Sequence, residues 1–81
     1  MRDIEKEVIE LVERLLNAKN VTLESSLMLD LQADSLEAME VLLEVEDYFD
    51  ISIDSKDVGD CETTVGRIVE VVKQELQEKT Q

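Results

Sequence analysis

The chain has no histidine, no proline and no tryptophan, and only two glycines, one cysteine, one tyrosine and one phenylalanine. Each shortage excludes something. Without histidine there is no Ser-His or Cys-His pair to activate a nucleophile, and no glycine-rich phosphate loop follows a strand. Cys61 stands alone, so no internal disulfide can form, which fits a reducing compartment. The lack of proline and the scarcity of glycine give no sign of a flexible linker. No apolar run approaches the roughly 18 residues of a membrane span, and the N-terminal stretch lacks the basic head and apolar core of a signal peptide. The expectation is therefore a cytoplasmic protein without a transmembrane segment. Basic residues are scarce as well, 8 against 21 acidic ones, for a net charge of −13. A polyanion is repelled by nucleic acid and by anionic membranes, and it favours partners with basic patches that associate quickly and salt-dependently. The many carboxylates fall on solvent-facing helix positions and form no EF-hand pattern, so neither catalytic residues nor a metal site is expected.

What the chain does have is helical periodicity. Its 81 residues make one small domain, 1–81, expected to be a monomer given its charge. A chain of this size buries only about 60% of the surface it exposes when unfolded. Residues 3–18 read as a first helix, with Ile4, Val8, Leu11, Val12, Leu15 and Leu16 at helical spacing, Asp3 as its cap and Asn17 and Asn20 at its exit. Residues 19–33 form a long connection that Leu23, Leu27, Leu29 and Leu31 can pin across the helices, with room for a short helical turn. Residues 35–49 read as the second helix. Residues 50–54 alternate briefly like a strand, but without a partner run they read as an extended connection. A short helical turn over 55–60, capped by Asp54 or Ser55 with Val58 facing in, precedes a last helix over about 64–78. That helix starts at Thr63 or Thr64 and buries Val65, Ile68, Val69, Val72 and Leu76. The fold class is all-α: a small four-helix bundle of three main helices plus one short helix, with a long first loop.

The second helix is the most informative stretch. Asp34 or Ser35 can cap it, and Glu37 follows Asp34 at the spacing of a capping box. Ser35 therefore sits where free backbone N–H groups and the positive end of the helix dipole collect, a setting that stabilises a phosphate. At about 100° per residue, Ala38, Val41, Leu42, Val45, Tyr48 and Phe49 share one broad apolar sector, the core face. Leu36, Met39 and Leu43 form a second sector, framed by Glu40, Glu46, Asp47 and Asp50. Each feature alone has a plain structural reading. Ser35 is a cap residue, Cys61 a small core side chain, the acids a solvated face, and the second stripe a surface under the loop 19–33. Their convergence on one end and one side of a single helix favours partner docking over that loop.

Asp30-Leu31-Gln32-Ala33-Asp34-Ser35-Leu36, leading into an acidic amphipathic helix, resembles the attachment motif of the acyl carrier proteins. The resemblance extends along nearly the whole chain, including the long first loop and Thr63-Thr64-Val65-Gly66 at the start of the last helix. It implies that a separate phosphopantetheinyl transferase, using coenzyme A and Mg²⁺, places 4′-phosphopantetheine on Ser35. Acyl groups would then be carried as thioesters on the arm's thiol, for fatty-acid or related specialised acyl synthesis, and the chain itself would not be an enzyme. It further implies that Asp34, Glu40, Glu46 and Asp47, with Leu36, Met39 and Leu43, meet acyl-processing enzymes through their basic docking patches. Gln32 stands where the family usually has glycine, Leu29 where an acid is common, and Asp54 where a proline often follows the second helix. Two other functions compete with this one: a stand-alone aminoacyl, peptidyl or polyketide carrier, and an unmodified acidic helical adaptor that would not need Ser35.

Overall fold

Side chains at the helix ends account for where each helix begins. In the computed structural model, which describes residues 3–54 and 63–79, α1 spans Ile4–Leu16. The Asp3 carboxylate accepts the Lys6 N–H at 3.1 Å, satisfying one of the orphan donors of the first turn. Asn17 ends α1 in the left-handed conformation (φ 52°) with its N–H on the Glu13 carbonyl. The second helix, α2, spans Ser35–Phe49, and α3 spans Val65–Lys79. Of the two threonines expected to start α3, Thr64 caps it: its hydroxyl accepts the Arg67 N–H at 3.2 Å. Of the expected connection over 50–54, residues 51–54 form neither helix nor strand, whereas Asp50 closes α2 in the left-handed conformation (φ 56°). The anticipated short turn over 55–60, with Val58 facing in, lies outside the described residues, as does Cys61.

Packing, rather than helix propensity, holds these helices, because their interior is built largely from valine, a middling helix former. α1 packs on both α2 and α3. Among the described residues, the largest fully buried side chains are Ile68 and six valines at 8, 12, 41, 45, 65 and 72. Phe49 is the one aromatic residue of this core among the described residues. At about 1.5–3 kcal/mol for each large aliphatic side chain fully buried, these contacts dominate the stability of so small a fold.

The long first loop is tied down by backbone hydrogen bonds to the head of α3. Leu27 N–H reaches the Thr63 carbonyl at 3.2 Å, Val65 N–H the Ser25 carbonyl at 2.9 Å, and Gly66 N–H the Leu23 carbonyl at 2.8 Å. Ser26 and Thr64 form an isolated antiparallel bridge there. A Cβ on Gly66 would stand 2.9 Å from the Leu23 carbonyl oxygen, so this close approach requires glycine. Val21, Leu27 and Ala33 are buried, and Leu23 and Leu31 pack against the core at its edge. The short turn expected within this loop is present: Asp30 and Leu31 N–H groups both donate to the Ser26 carbonyl at 3.0 Å.

Three sequence expectations need correction. Leu29 does not pin the loop but stands 63% exposed on that turn. Leu15 lies at the rim of α1, exposed rather than packed. Tyr48 is not part of the core face of α2. Its ring stacks edge-on against Phe49 at 4.8 Å, and its hydroxyl donates to Glu7 of α1 at 3.0 Å, which keeps the polar tip in solvent. Val71, outside the expected stripe of α3, is buried, so α3 is covered on a second flank.

Candidate functional site

The head of α2 settles which residue is the cap. Asp34 (φ −82°, ψ 178°) lies just outside the helix, and its carboxylate accepts the Glu37 N–H at 2.8 Å. The Glu37 carboxylate reaches back to the Asp34 N–H at 3.2 Å, completing a reciprocal capping box. Ser35 is thereby the first helical residue, not the cap. Its side chain is exposed and makes no hydrogen bond among the described residues. The N–H groups of Ser35 and Leu36 likewise have no acceptor there. An uncommitted hydroxyl thus sits at the positive end of a helix, beside donors suited to an anionic group.

The approach to Ser35 is rigidly built. Asp30 accepts the Ser26 N–H at 2.7 Å, and the buried Ser26 hydroxyl accepts the Leu29 N–H at 3.2 Å. The N–H of Ala33 donates to the Leu27 carbonyl at 2.9 Å, and Ala33 itself is buried. Between these anchors, Gln32 is exposed in the left-handed region at φ 60°. Only glycine adopts that conformation without steric cost. The sequence motif located this stretch, but it did not reveal that Asp30 and Ala33 act as fasteners of the loop. Gly66, which takes part in the same fastening, stood out in the sequence only as part of the resemblance at the head of the last helix.

Along the outer side of α2, Leu36, Met39 and Leu43 are 64%, 58% and 56% exposed. The loop does not cover them. Glu40 and Asp47 are exposed beside this stripe, and Asp34 lies exposed at its head. Glu46 differs: it is half-buried, with one carboxylate oxygen accepting the Ile53 N–H at 2.6 Å, so it also holds the chain leaving the helix. A shallow depression lined by Leu43, Glu44, Glu46, Asp47, Asp50 and Ile51 closes the lower end of this side. No basic residue occupies the last turn of α2, so these acids oppose the helix dipole without compensation from their own helix.

Comparison with known proteins decides the family. A family model described as "Phosphopantetheine attachment site" matches residues 6–72. The chain belongs to the acyl carrier proteins, the family of phosphopantetheine-attachment domains. It is 42% identical to an acyl carrier protein of Amoebophilus asiaticus, over 98% of this chain and 100% of that relative. It is 37% identical to an acyl carrier protein of Porphyromonas gingivalis (94% and 99% covered) and 36% identical to one of Exiguobacterium (91% and 90%). Acyl carrier proteins carry acyl groups on a covalently bound phosphopantetheine, and the exposed, uncommitted Ser35 at the head of α2 fits such a group. Among the described residues, no group of His, Cys, Asp or Glu is arranged to hold a metal ion, and no helix is long and apolar enough to cross a membrane.

Proposed function

We propose that Ser35 is the attachment residue and that the outer side of α2 is the surface by which partner enzymes recognise this acyl carrier protein. One observation carries this reading. The capping box is closed by Asp34 and Glu37, which leaves the Ser35 hydroxyl exposed at the head of the helix that displays Leu36, Met39 and Leu43. In the transfer, the Ser35 oxygen bonds to the pantetheine-bearing phosphorus of coenzyme A. The pyrophosphate P–O bond breaks with its electron pair leaving on the departing nucleotide's phosphate, and the hydroxyl proton passes to that phosphate or to water. When bound, the arm supplies a terminal thiol that holds acyl groups as thioesters. The residues of the chain do the rest. The backbone N–H groups of Ser35 and Leu36, which have no acceptor among the described residues, would hold the phosphate of the arm. Glu40 and Asp47 would pair with basic side chains of a visiting enzyme, and the apolar stripe would give contact area. Asp34 and Glu46 present carboxylates to the same surface while keeping their structural hydrogen bonds.

Such docking is weak by construction, because exposed ion pairs are worth only about 0–1 kcal/mol each. A carrier that visits several acyl-processing enzymes benefits from that fast release. Fatty-acid or related specialised acyl synthesis in the cytoplasm, served by a monomer, is the setting that best suits this charge. The test is intact mass after incubation with coenzyme A, Mg²⁺ and a broad-specificity phosphopantetheinyl transferase. The expected gain is one phosphopantetheine on the native chain and none on Ser35→Ala. A gain that persists in Ser35→Ala would move the site elsewhere.

A further inference from the structure

Two residues of the loop before Ser35 are displayed in ways the fold does not need. Leu29 is as exposed as the apolar residues of the α2 stripe, although it lies between the buried Leu27 and the half-buried Leu31. Its exposure is built in: Ser26 and Asp30 fix the turn that turns it outward through the hydrogen bonds Leu29 N–H to Ser26 Oγ and Ser26 N–H to Asp30. Gln32 holds an exposed amide in a left-handed conformation (φ 60°) that a glycine would adopt without penalty. A side chain kept where only glycine is unstrained is accounted for if that side chain is used.

Distance limits say what uses it. A chain spans at most about 3.6 Å per residue, so Gln32 lies within about 11 Å of Ser35 and Leu29 within about 22 Å, less the shortening of the intervening turn. An enzyme acting on the Ser35 oxygen, with a standard contact patch of roughly 800 Å² on each side, reaches about 16 Å from its centre, which takes in Gln32. Because the Ala33 N–H to Leu27 carbonyl bond folds the loop back, Leu29 comes within range of its edge. The exposed acids Asp30, Asp34 and Glu37 surround them, so the surface that arrives must be basic.

We propose that Leu29 and Gln32 are specificity-determining residues for the transferase that modifies Ser35. Leu29 seats in an apolar recess within that enzyme's basic surface, and the Gln32 amide hydrogen-bonds beside it. This rests on Ser35 being the attachment residue. The transfer itself is the balanced step given above and involves neither side chain, so both act on binding, not on the reacting atoms.

The experiment follows phosphopantetheine transfer from coenzyme A with Mg²⁺ in extract of the source cells, as a function of carrier concentration. A broad-specificity transferase and the melting curve of each variant serve as references. Leu29→Glu is expected to raise the apparent KM at least tenfold with the saturating rate unchanged, while Leu29→Met stays near the native value. Gln32→Gly is expected to raise KM about threefold and to raise the melting temperature. Those opposite signs separate a strained contact residue from a structural one. Unchanged KM in both Leu29→Glu and Gln32→Gly, with Ser35→Ala inert, would overturn the proposal and leave the attachment residue standing. So would a KM rise in Gln32→Gly accompanied by a fall in melting temperature. If the native chain gained no mass with either enzyme source, the attachment reading would fail and this proposal with it.

Discussion

Helices α2 and α3 have the same length, 15 residues each, and are used in opposite ways. α3 buries Val65, Ile68, Val69, Val71 and Val72, and its head is bound to the first loop by backbone hydrogen bonds. α2 buries Val41, Val45 and Phe49 and turns Leu36, Met39 and Leu43 outward. In α3 nearly every apolar side chain lowers the free energy of the isolated fold. In α2 Leu36, Met39 and Leu43 add nothing of the kind to the isolated fold, and the uncompensated acids at its C-terminal end run against stability. The difference teaches that apolar content alone does not rank a helix's importance to the fold. What matters is which side of it the remaining chain reaches.

Mutations can break or sharpen this contrast. Ile68→Ala, in the fully buried centre of α3, is expected to cost about 3 kcal/mol, the cavity and transfer loss together. Urea or thermal unfolding would measure it, and a loss below 1 kcal/mol would mean that α3 is not the keystone. Gly66→Ala forces a methyl group against the Leu23 carbonyl. Overpacking outweighs the better helix propensity of alanine, for a net loss of about 1–2 kcal/mol. Asp34→Ala removes the cap of α2 and is expected to cost about 1 kcal/mol, with no loss of the Ser35 hydroxyl. Leu43→Glu, on the exposed stripe, is expected to shift stability by less than about 0.5 kcal/mol. It should nonetheless slow turnover by partner enzymes severely, and a large drop in melting temperature would show that the residue belongs to the core. Glu40→Lys and Asp47→Lys should likewise weaken partner turnover, with melting unchanged or slightly raised. The smallest effect expected is general: added salt should raise the melting temperature by screening the net charge of −13, as followed by a melting series in sodium chloride.

Much of this was legible in the chain itself, because helical period and cap chemistry are local. The bounds of α2 and the separation of its two apolar sectors follow from spacing alone. The sequence left Asp34 and Ser35 as equal candidates for the cap; the closed capping box decides between them. Leu15, Leu29 and Tyr48 were misread for a shared reason. A leucine or tyrosine on the flank of an apolar sector is buried only if a neighbouring element passes over it, and that depends on where α1 crosses α2 and on the turn at Ser26. The fastening of the first loop to the head of α3 was illegible because backbone-to-backbone bonds between distant segments leave almost no mark on side-chain identity. Gly66 was the one visible trace, and it reads as necessary only once Leu23 is known to lie against it.

That fastening also orders events in time. Leu23, Ser25 and Leu27 find their hydrogen-bond partners at Gly66, Val65 and Thr63, far along the chain. Closing so long a loop is slow compared with winding a helix, so α1 and α2 can wind before the turn that presents Ser35 is fixed. During synthesis, the loop cannot gain these three bonds until the start of α3 has left the ribosome. An enzyme that recognises the fastened loop would therefore distinguish chains whose α3 has docked from those whose α3 has not.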